Sequence, residues 1–322
     1  MHLANMPRVV MSHILESAGF RAILSLQKIS RDLRNFVEDV RPEYHLKSIS
    51  ITVTFNCISI YMDPYMDWSV DIMYQEQNEG CSVQNFPKQE VFIKDQDFTT
   101  TFLNDLETNL KNQKAILELL RLSFECVLEG FLNGFEKVLK SREIPLRVGE
   151  LNLEVSNQEE VMTILPYIDP KSIKKLSISS PQGLIDLETN LVTKLDQWRG
   201  VKDLEMFNCV VSEPLKNFAH FSNAKVCVQM VFSGDLLELK ERFLASKNFK
   251  KFIMTYKIFE EDIYLPDLFG EPLVIGRDTW SFPYPESDES LLLVHLDNCT
   301  FNFSRVKSSE IVFKRCHTPI AA

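Results

Sequence analysis

The sequence predicts an α/β protein made of three successive parts. Apolar residues recur at helical spacing in the first ~45 residues, alternate with polar residues over 46–94, and then form short runs between helix-like stretches. The first period is typical of helices, the second of half-buried strands and the third of β/α units. The predicted domains are a three-helix module at residues 1–45, an antiparallel strand linker segment at 46–96 and a leucine-rich-repeat-like β/α domain at 97–322.

Three short helices account for the first part. Pro7 suits the first turn of a helix, where its missing N–H group costs nothing. Gly19 separates the first helix from the second, and Pro42 ends the third because the residue before a proline avoids helical geometry. The apolar residues of the three helices are Val10, Ile14, Leu15 and Ala18, then Phe20, Ile23, Leu24 and Leu26, then Ile29, Leu33, Phe36, Val37 and Val40.

Alternation predicts three or four short antiparallel strands in the second part. The alternating residues are Ile49, Ile51, Val53, Phe55, Ile58, Ile60, Val70, Ile72, Val91 and Ile93. Turn-forming residues separate these runs at Asp63-Pro64, at 78–80 and at Pro87.

The third part repeats along the chain. The residues that mark successive apolar runs are Phe124, Val155, Ile178, Phe207, Val231 and Met254. Most of their spacings fall in the window of roughly 20–29 residues that leucine-rich-repeat-like units occupy. In the frames 204–209 and 294–299 we expect apolar residues to point inward and a buried cysteine or asparagine to close the turn after the strand. Further runs at 291–296 and 311–313 extend the series, which favours a curved, right-handed solenoid; an ordinary α/β domain is the alternative.

Composition excludes several classes of function. The net charge of −10 and the pI near 5.2 disfavour binding to nucleic-acid phosphates. The 10 glycines include no G-x-G pair, so the dinucleotide-binding fingerprint and the Walker loop are absent. The 7 cysteines avoid C-x-x-C spacing, and no apolar run approaches the ~20 residues of a membrane helix. We therefore expect a soluble protein of the reducing cytoplasm or nucleus, without nucleic-acid or membrane partners.

No catalytic, metal or cofactor site is predicted. None of the 6 histidines pairs with another at helical spacing, and neither H-E-x-x-H nor G-x-S-x-G occurs. His295 lies inside an apolar run, so we expect a neutral, hydrogen-bonded core histidine. The acidic run 260–262 is interpreted as a solvated loop, and Cys316-His317 has poor geometry for a nucleophile and its base.

The proline-rich segment 264–290 interrupts the repeats and predicts a loop or a β-hairpin. Within it, Trp280, Phe282 and Tyr284 alternate, which places them on one face of an extended strand. Such rings either pack back on the domain or serve as anchors for a partner; we favour packing.

The N-terminal module resembles an F-box. The resemblance is carried by Met6-Pro7, Ile14-Leu15 and the stretch 20–34, with Met6 in place of the usual leucine. The remainder resembles the FTH domain that follows the F-box in a large nematode family. Its matching stretches are 102–106, Gln113-Lys114, 138–146 and 151–170. The resemblance covers roughly residues 6–45 for the F-box and 95–260 for the FTH part.

The resemblance implies a substrate-recognition subunit of an SCF-type E3 ubiquitin ligase. The F-box would dock on a Skp-family adaptor and through it on a cullin scaffold, while the C-terminal solenoid would bind a protein target and other subunits would supply catalysis. The adaptor-binding residues would be Met6, Pro7, Val10, Ile14, Leu15, Leu24 and Leu26. Two alternatives stay open: the apolar face packs on the strands at 46–94, or the chain is a non-ligase protein-interaction module that retains an F-box fold.

Overall fold

The computed structural model describes residues 6–63, 70–85, 89–126, 128–259, 264–273 and 278–310. Helices and strands follow each other along these residues, which confirms the predicted α/β class. The chain divides into two compact units, residues 1–201 and 202–322. The apolar run 311–313, the acidic run 260–262 and the pair Cys316-His317 lie outside the described residues.

Three helices begin the first unit: α1 (Arg8–Ser17), α2 (Phe20–Ile29) and α3 (Arg31–Val40). Ser30 caps α3, because its Oγ accepts a hydrogen bond from the Leu33 N–H at 3.2 Å. Arg41 follows α3 in a left-handed conformation with φ of 49°, so the helix stops before Pro42. The inward side chains of these helices form a small core: Met11, Leu15, Phe20, Ile23, Leu33 and Val37.

Five antiparallel strands follow, where alternation predicts three or four. They are β1 (Ser48–Val53), β2 (Cys57–Asp63), β3 (Val70–Gln77), β4 (Gly80–Asn85) and β5 (Gln89–Lys94). Each pairs antiparallel with the next along the chain. The strand that alternation misses is β4, because its adjacent residues Cys81 and Ser82 are both buried, so burial does not alternate along it.

The β/α units of the first unit continue the same sheet. They comprise α4 (Phe98–Lys111), β6 (Leu117–Phe124), α5 (Phe131–Lys140), β7 (Val148–Glu154), α6 (Gln158–Ile164) and β8 (Lys175–Ser179). Strand β1 pairs in parallel with β6, and the order is β8-β7-β6-β1-β2-β3-β4-β5. The boundary predicted at residue 96 therefore falls within one sheet. Shorter elements are β9 (Ile185–Asp186), α7 (Asp196–Gly200) and 3-10 turns at Leu165–Tyr167 and Val192–Lys194.

Aromatic rings form much of the core of this unit. Phe131, at the start of α5, stacks on Phe102 of α4 with centroids 6.0 Å apart and on Phe135 at 5.8 Å. Phe124 of β6 meets the same ring edge-on at 6.0 Å, and Tyr74 of β3 contacts Phe102 at 5.4 Å. Such pairs add to the free energy of apolar burial, so helices α4 and α5 are held firmly on the sheet.

The second unit combines parallel and antiparallel strands. Its elements are β10 (Asp203–Val211), a 3-10 turn (Leu215–Asn217), β11 (Asn223–Val231), α8 (Ser233–Ala245), β12 (Lys251–Phe259), α9 (Leu265–Phe269), β13 (Thr279–Tyr284), β14 (Ser287–Asp297), β15 (Thr300–Lys307) and a 3-10 turn (Ser308–Glu310). The strand order is β13-β14-β15-β12-β11-β10, with β10, β11 and β12 parallel. Both units contain consecutive parallel strands that are joined by helical connections, as β/α repeats require. The curved solenoid stays a prediction.

One of the two predicted repeat frames is wrong. Cys209 is fully buried as expected. Cys299 is instead exposed in the turn that joins β14 to β15, where Asn298 and Cys299 have φ of 42° and 60°. Two consecutive positive φ values suit the tight turn of an antiparallel hairpin. The run 291–296 therefore belongs to an antiparallel strand, not to a further β/α repeat.

The proline-rich segment contains the hairpin that the sequence allows, formed by β13 and β14. Trp280 is buried and its Nε1 donates a hydrogen bond to the Gly270 carbonyl oxygen at 2.8 Å. Phe269 of α9 contacts both Trp280 and Phe282, and Tyr284 is 5% exposed. The rings thus pack on their own unit, as favoured from the sequence.

Candidate functional site

The N-terminal helices expose large apolar side chains to water. Val9 is 68% exposed, Val10 44%, Ile14 37% and Ile29 69%. Of the other side chains predicted to contact an adaptor, Pro7 is exposed and Met6, Leu24 and Leu26 are half-buried. Burying apolar surface stabilises a protein by about 25 cal/mol per Å², so each of these side chains would gain free energy on being covered. Exposed apolar surface on a small module is typical of a protein-binding site.

Helix α1 has apolar residues on two faces. Val10 and Ile14, one turn apart, point outward, whereas Met11 and Leu15, also one turn apart, are 3% and 0% exposed. Leu15 therefore belongs to the core of the module and cannot offer its side chain to a partner, which corrects its place among the predicted adaptor contacts. Val10 and Ile14 stay partly accessible to a partner.

Ile29 differs from its predicted environment. The sequence places it in the buried stripe of the third helix, but it is the last residue of α2 and is exposed. The reason is the Ser30 cap, which starts α3 at Arg31 and leaves Ile29 on the preceding helix. We define the adaptor surface, a candidate contact surface, as Met6, Pro7, Val9, Val10, Ile14, Leu24, Leu26 and Ile29. Val9 and Ile29 are exposed apolar side chains that the predicted set of adaptor contacts did not include.

The chain following α3 fixes the helical module to the rest of its unit. Arg41 forms an ion pair with Glu143 at 2.8 Å. The Glu43 carboxylate accepts hydrogen bonds from the backbone N–H groups of Lys114 and Ala115 at 2.9 and 3.1 Å. The Tyr44 ring packs edge-on against Phe20 of α2, with centroids 5.2 Å apart. These contacts order the segment between the helices and the sheet.

The described part of the chain holds no group of three or more His, Cys, Asp or Glu side chains that could bind a metal ion. His295 forms the predicted hydrogen bond, with its Nδ1 2.9 Å from the Thr279 Oγ1, but it is half-buried and not part of the core. Burial raises the pKa of the Cys209 thiol to about 11, so this cysteine is the reverse of an activated nucleophile.

Glu160 is the fully buried carboxylate of the first unit, and its role is structural. Its two oxygens accept hydrogen bonds from the Ser156 N–H at 2.8 Å and from the Asn157 side chain at 2.9 Å. The Asn157 Oδ1 in turn accepts from the Glu160 N–H, so the two residues cap α6 reciprocally. Burial raises the pKa of this carboxyl above its usual value.

Comparison with known families identifies the C-terminal part. Residues 129–270 match the family model described as the FTH domain, a range that runs from the start of α5 to the end of α9. Residues 129–270 are therefore similar to FTH domains. It is also similar to F-box A protein 224 of Caenorhabditis elegans, with 26% identity over 283 residues that cover 83% of this chain and 70% of the relative.

These findings confirm the resemblance to nematode F-box proteins with an FTH domain. The range that matches the FTH domain begins after β6 and includes the parallel strands β7, β8 and β10–β12. No solved structure matches the chain. Among the described residues, no helix is long and apolar enough to cross a membrane.

Proposed function

We propose that this chain is a substrate-recognition subunit of an SCF-type ubiquitin ligase. The N-terminal helices would act as an F-box that binds a Skp-family adaptor and, through it, a cullin scaffold. The FTH domain would bind the protein to be ubiquitinated. The contribution of the chain to the reaction would be proximity, since the catalytic atoms belong to other subunits.

The accessible apolar side chains of α1 carry this proposal. Val10 and Ile14 are 44% and 37% exposed although a neighbouring pair on the same helix is buried. The similarity to an F-box A protein gives this surface a partner class, because an F-box binds Skp-type adaptors. Removing such side chains from water on docking is the main source of affinity for an apolar interface.

Co-expression of the full chain with its Skp-family adaptor tests the proposal. The variant Val10→Glu/Ile14→Glu would place two unpaired charges in the interface and lower capture of the adaptor by about a hundredfold or more. Leu184→Glu is the matched control, because Leu184 is 55% exposed in the same unit but lies outside the adaptor surface. Both variants replace exposed side chains and leave the core intact.

Stoichiometric capture by the wild type and by Leu184→Glu, together with its loss in the double variant, would support the ligase role. Absence of capture by a folded wild-type chain would instead favour the alternative, a non-ligase interaction module that retains the F-box fold. Equal capture by all three proteins would remove α1 from the interface.

A further inference from the structure

A polar cleft of about 570 Å³ lies where the C-terminal ends of α3, α4 and α5 meet, all within the first unit. Its lining includes Tyr44, Asn112 and Arg142, which come from three separate parts of the chain. This cleft is distinct from the adaptor surface, with which it shares no residue.

Three buried polar atoms of the cleft are unsatisfied. The Tyr44 hydroxyl, the Asn112 Oδ1 and the Arg142 Nε have no hydrogen-bond partner among the described residues. Tyr44 is 1% exposed and Asn112 is 5% exposed. The amides of Asn112 and Gln27 lie beside the hydroxyl without completing a hydrogen bond of good geometry. Buried polar atoms are almost always paired, so the unpaired Tyr44 O–H and Arg142 Nε–H donors at one cleft indicate a missing acceptor, whereas the Asn112 Oδ1 is itself an acceptor.

Arg142 supplies charge at the cleft. Its Nη1 and Nη2 donate hydrogen bonds to the carbonyl oxygens of Leu110 and Gln113, the latter at 2.6 Å. Burial lowers the pKa of this guanidinium, and the charge of Glu43 opposes the effect only in part. Neutral carbonyl oxygens thus hold the guanidinium in place without compensating its positive charge, and its Nε–H has no hydrogen-bond acceptor among the described residues.

The rim of the cleft adds positive charge. Lys111 and Lys114 line the cleft with exposed side chains, and neither has an ion pair with a described carboxylate. Arg41 and Glu143, which also line it, neutralise each other. Glu38 and Glu107 offset part of the remaining charge, which leaves the lining with one net positive charge.

We infer that this cleft binds a small anionic ligand, a carboxylate or a phosphate, through Arg142, the Tyr44 hydroxyl and the two rim lysines. An anion accepts hydrogen bonds, which is what the Arg142 Nε–H and the Tyr44 O–H need. Its charge would compensate the guanidinium in a partly dry site, where electrostatic attraction is stronger than in water.

Isothermal titration of the full chain with inorganic phosphate and, separately, with citrate tests the inference, at constant ionic strength set with chloride. Tyr44→Phe keeps the ring that packs on Phe20 and removes only the unpaired hydroxyl. We expect it to fold normally and to weaken anion binding about tenfold. Lys111→Gln/Lys114→Gln removes the rim charge and is expected to weaken binding several-fold.

Tyr284→Phe is the matched control, since the Tyr284 hydroxyl is also buried and unpaired but belongs to the second unit. Binding of either anion that is weakened in the Tyr44 and lysine variants but not in this control supports the inference, and the tighter anion identifies the head group. No binding of either anion, or equal affinities in all variants, would overturn it and assign the cleft to water alone. Matching urea midpoints of all variants without anion exclude misfolding as the cause.

Discussion

Neighbouring apolar residues on α1 have opposite environments. Successive residues on an α-helix are about 100° apart, so the pair Val10 and Ile14 faces a different direction from the pair Met11 and Leu15. The first pair is accessible and the second is buried. Substitutions at the two pairs should therefore act on different properties, partner binding for the first and stability for the second.

Leu15→Ala is expected to lower the free energy of unfolding by about 2–5 kcal/mol, the usual cost of a cavity at a fully buried leucine. Val9→Ala, at a position that is 68% exposed, should change it by less than about 0.5 kcal/mol. Urea titrations followed by circular dichroism measure both. Equal destabilisation by the two variants would contradict the assignment of Leu15 to the core.

Glu160 predicts a pH effect with a defined sign. Its pKa is raised on folding, so above pH ~4.5 the folded state binds more protons at this site than the unfolded state. Its contribution to stability is therefore complete below the unfolded pKa and is lost as the pH rises through the folded pKa.

Glu160→Gln removes this titration and keeps an oxygen that can accept the Ser156 N–H. The stability of the variant relative to the wild type should rise from pH 4 to pH 7, as measured by urea unfolding at each pH. A constant or falling difference would show that ionisation of Glu160 costs nothing in the folded protein.

At the scale of elements, local signals were sufficient for some assignments and not for others. Helices α1 to α3 follow from helical spacing and from Pro7 and Pro42, because those signals act within a few residues. Strand β4 was missed because its burial does not alternate, and the direction of β14 was missed because a short apolar run looks the same in parallel and antiparallel sheets. The turn at Asn298-Cys299 sets that direction, and its residue types are a weak hairpin signal without a glycine.

The turn between β3 and β4 requires its glycine. A Cβ on Gly80 would lie 2.1 Å from the carbonyl oxygen of Ile93 on β5, a backbone atom that cannot move alone. We expect Gly80→Ala to destabilise the protein by about 2 kcal/mol. Gly234→Ala is the control, because Gly234 lies in α8, where an added methyl group would meet no atom within 4 Å and alanine favours the helix. Thermal unfolding that ranks the two variants in the opposite order would contradict this account of the turn.

At the scale of the whole molecule, the family resemblance could be predicted from the sequence, but the geometry of the candidate sites could not. The stretches that resemble the FTH domain are long, and the family model matches residues 129–270. The cleft lined by Tyr44, Asn112 and Arg142 could not be predicted, because its atoms converge only when the ends of three helices meet. Leu15, one of the predicted adaptor contacts, is buried, because its exposure depends on how α1 packs, while the contacts themselves stay a prediction.

The most direct test of the proposed role is reconstitution of the assembly from purified full-length chain, Skp-family adaptor and cullin scaffold. The proposal predicts that the chain co-elutes with the cullin in size-exclusion chromatography only when the adaptor is present, and that Val10→Glu/Ile14→Glu abolishes co-elution. A folded wild-type chain that elutes alone in the presence of both partners would contradict the proposal.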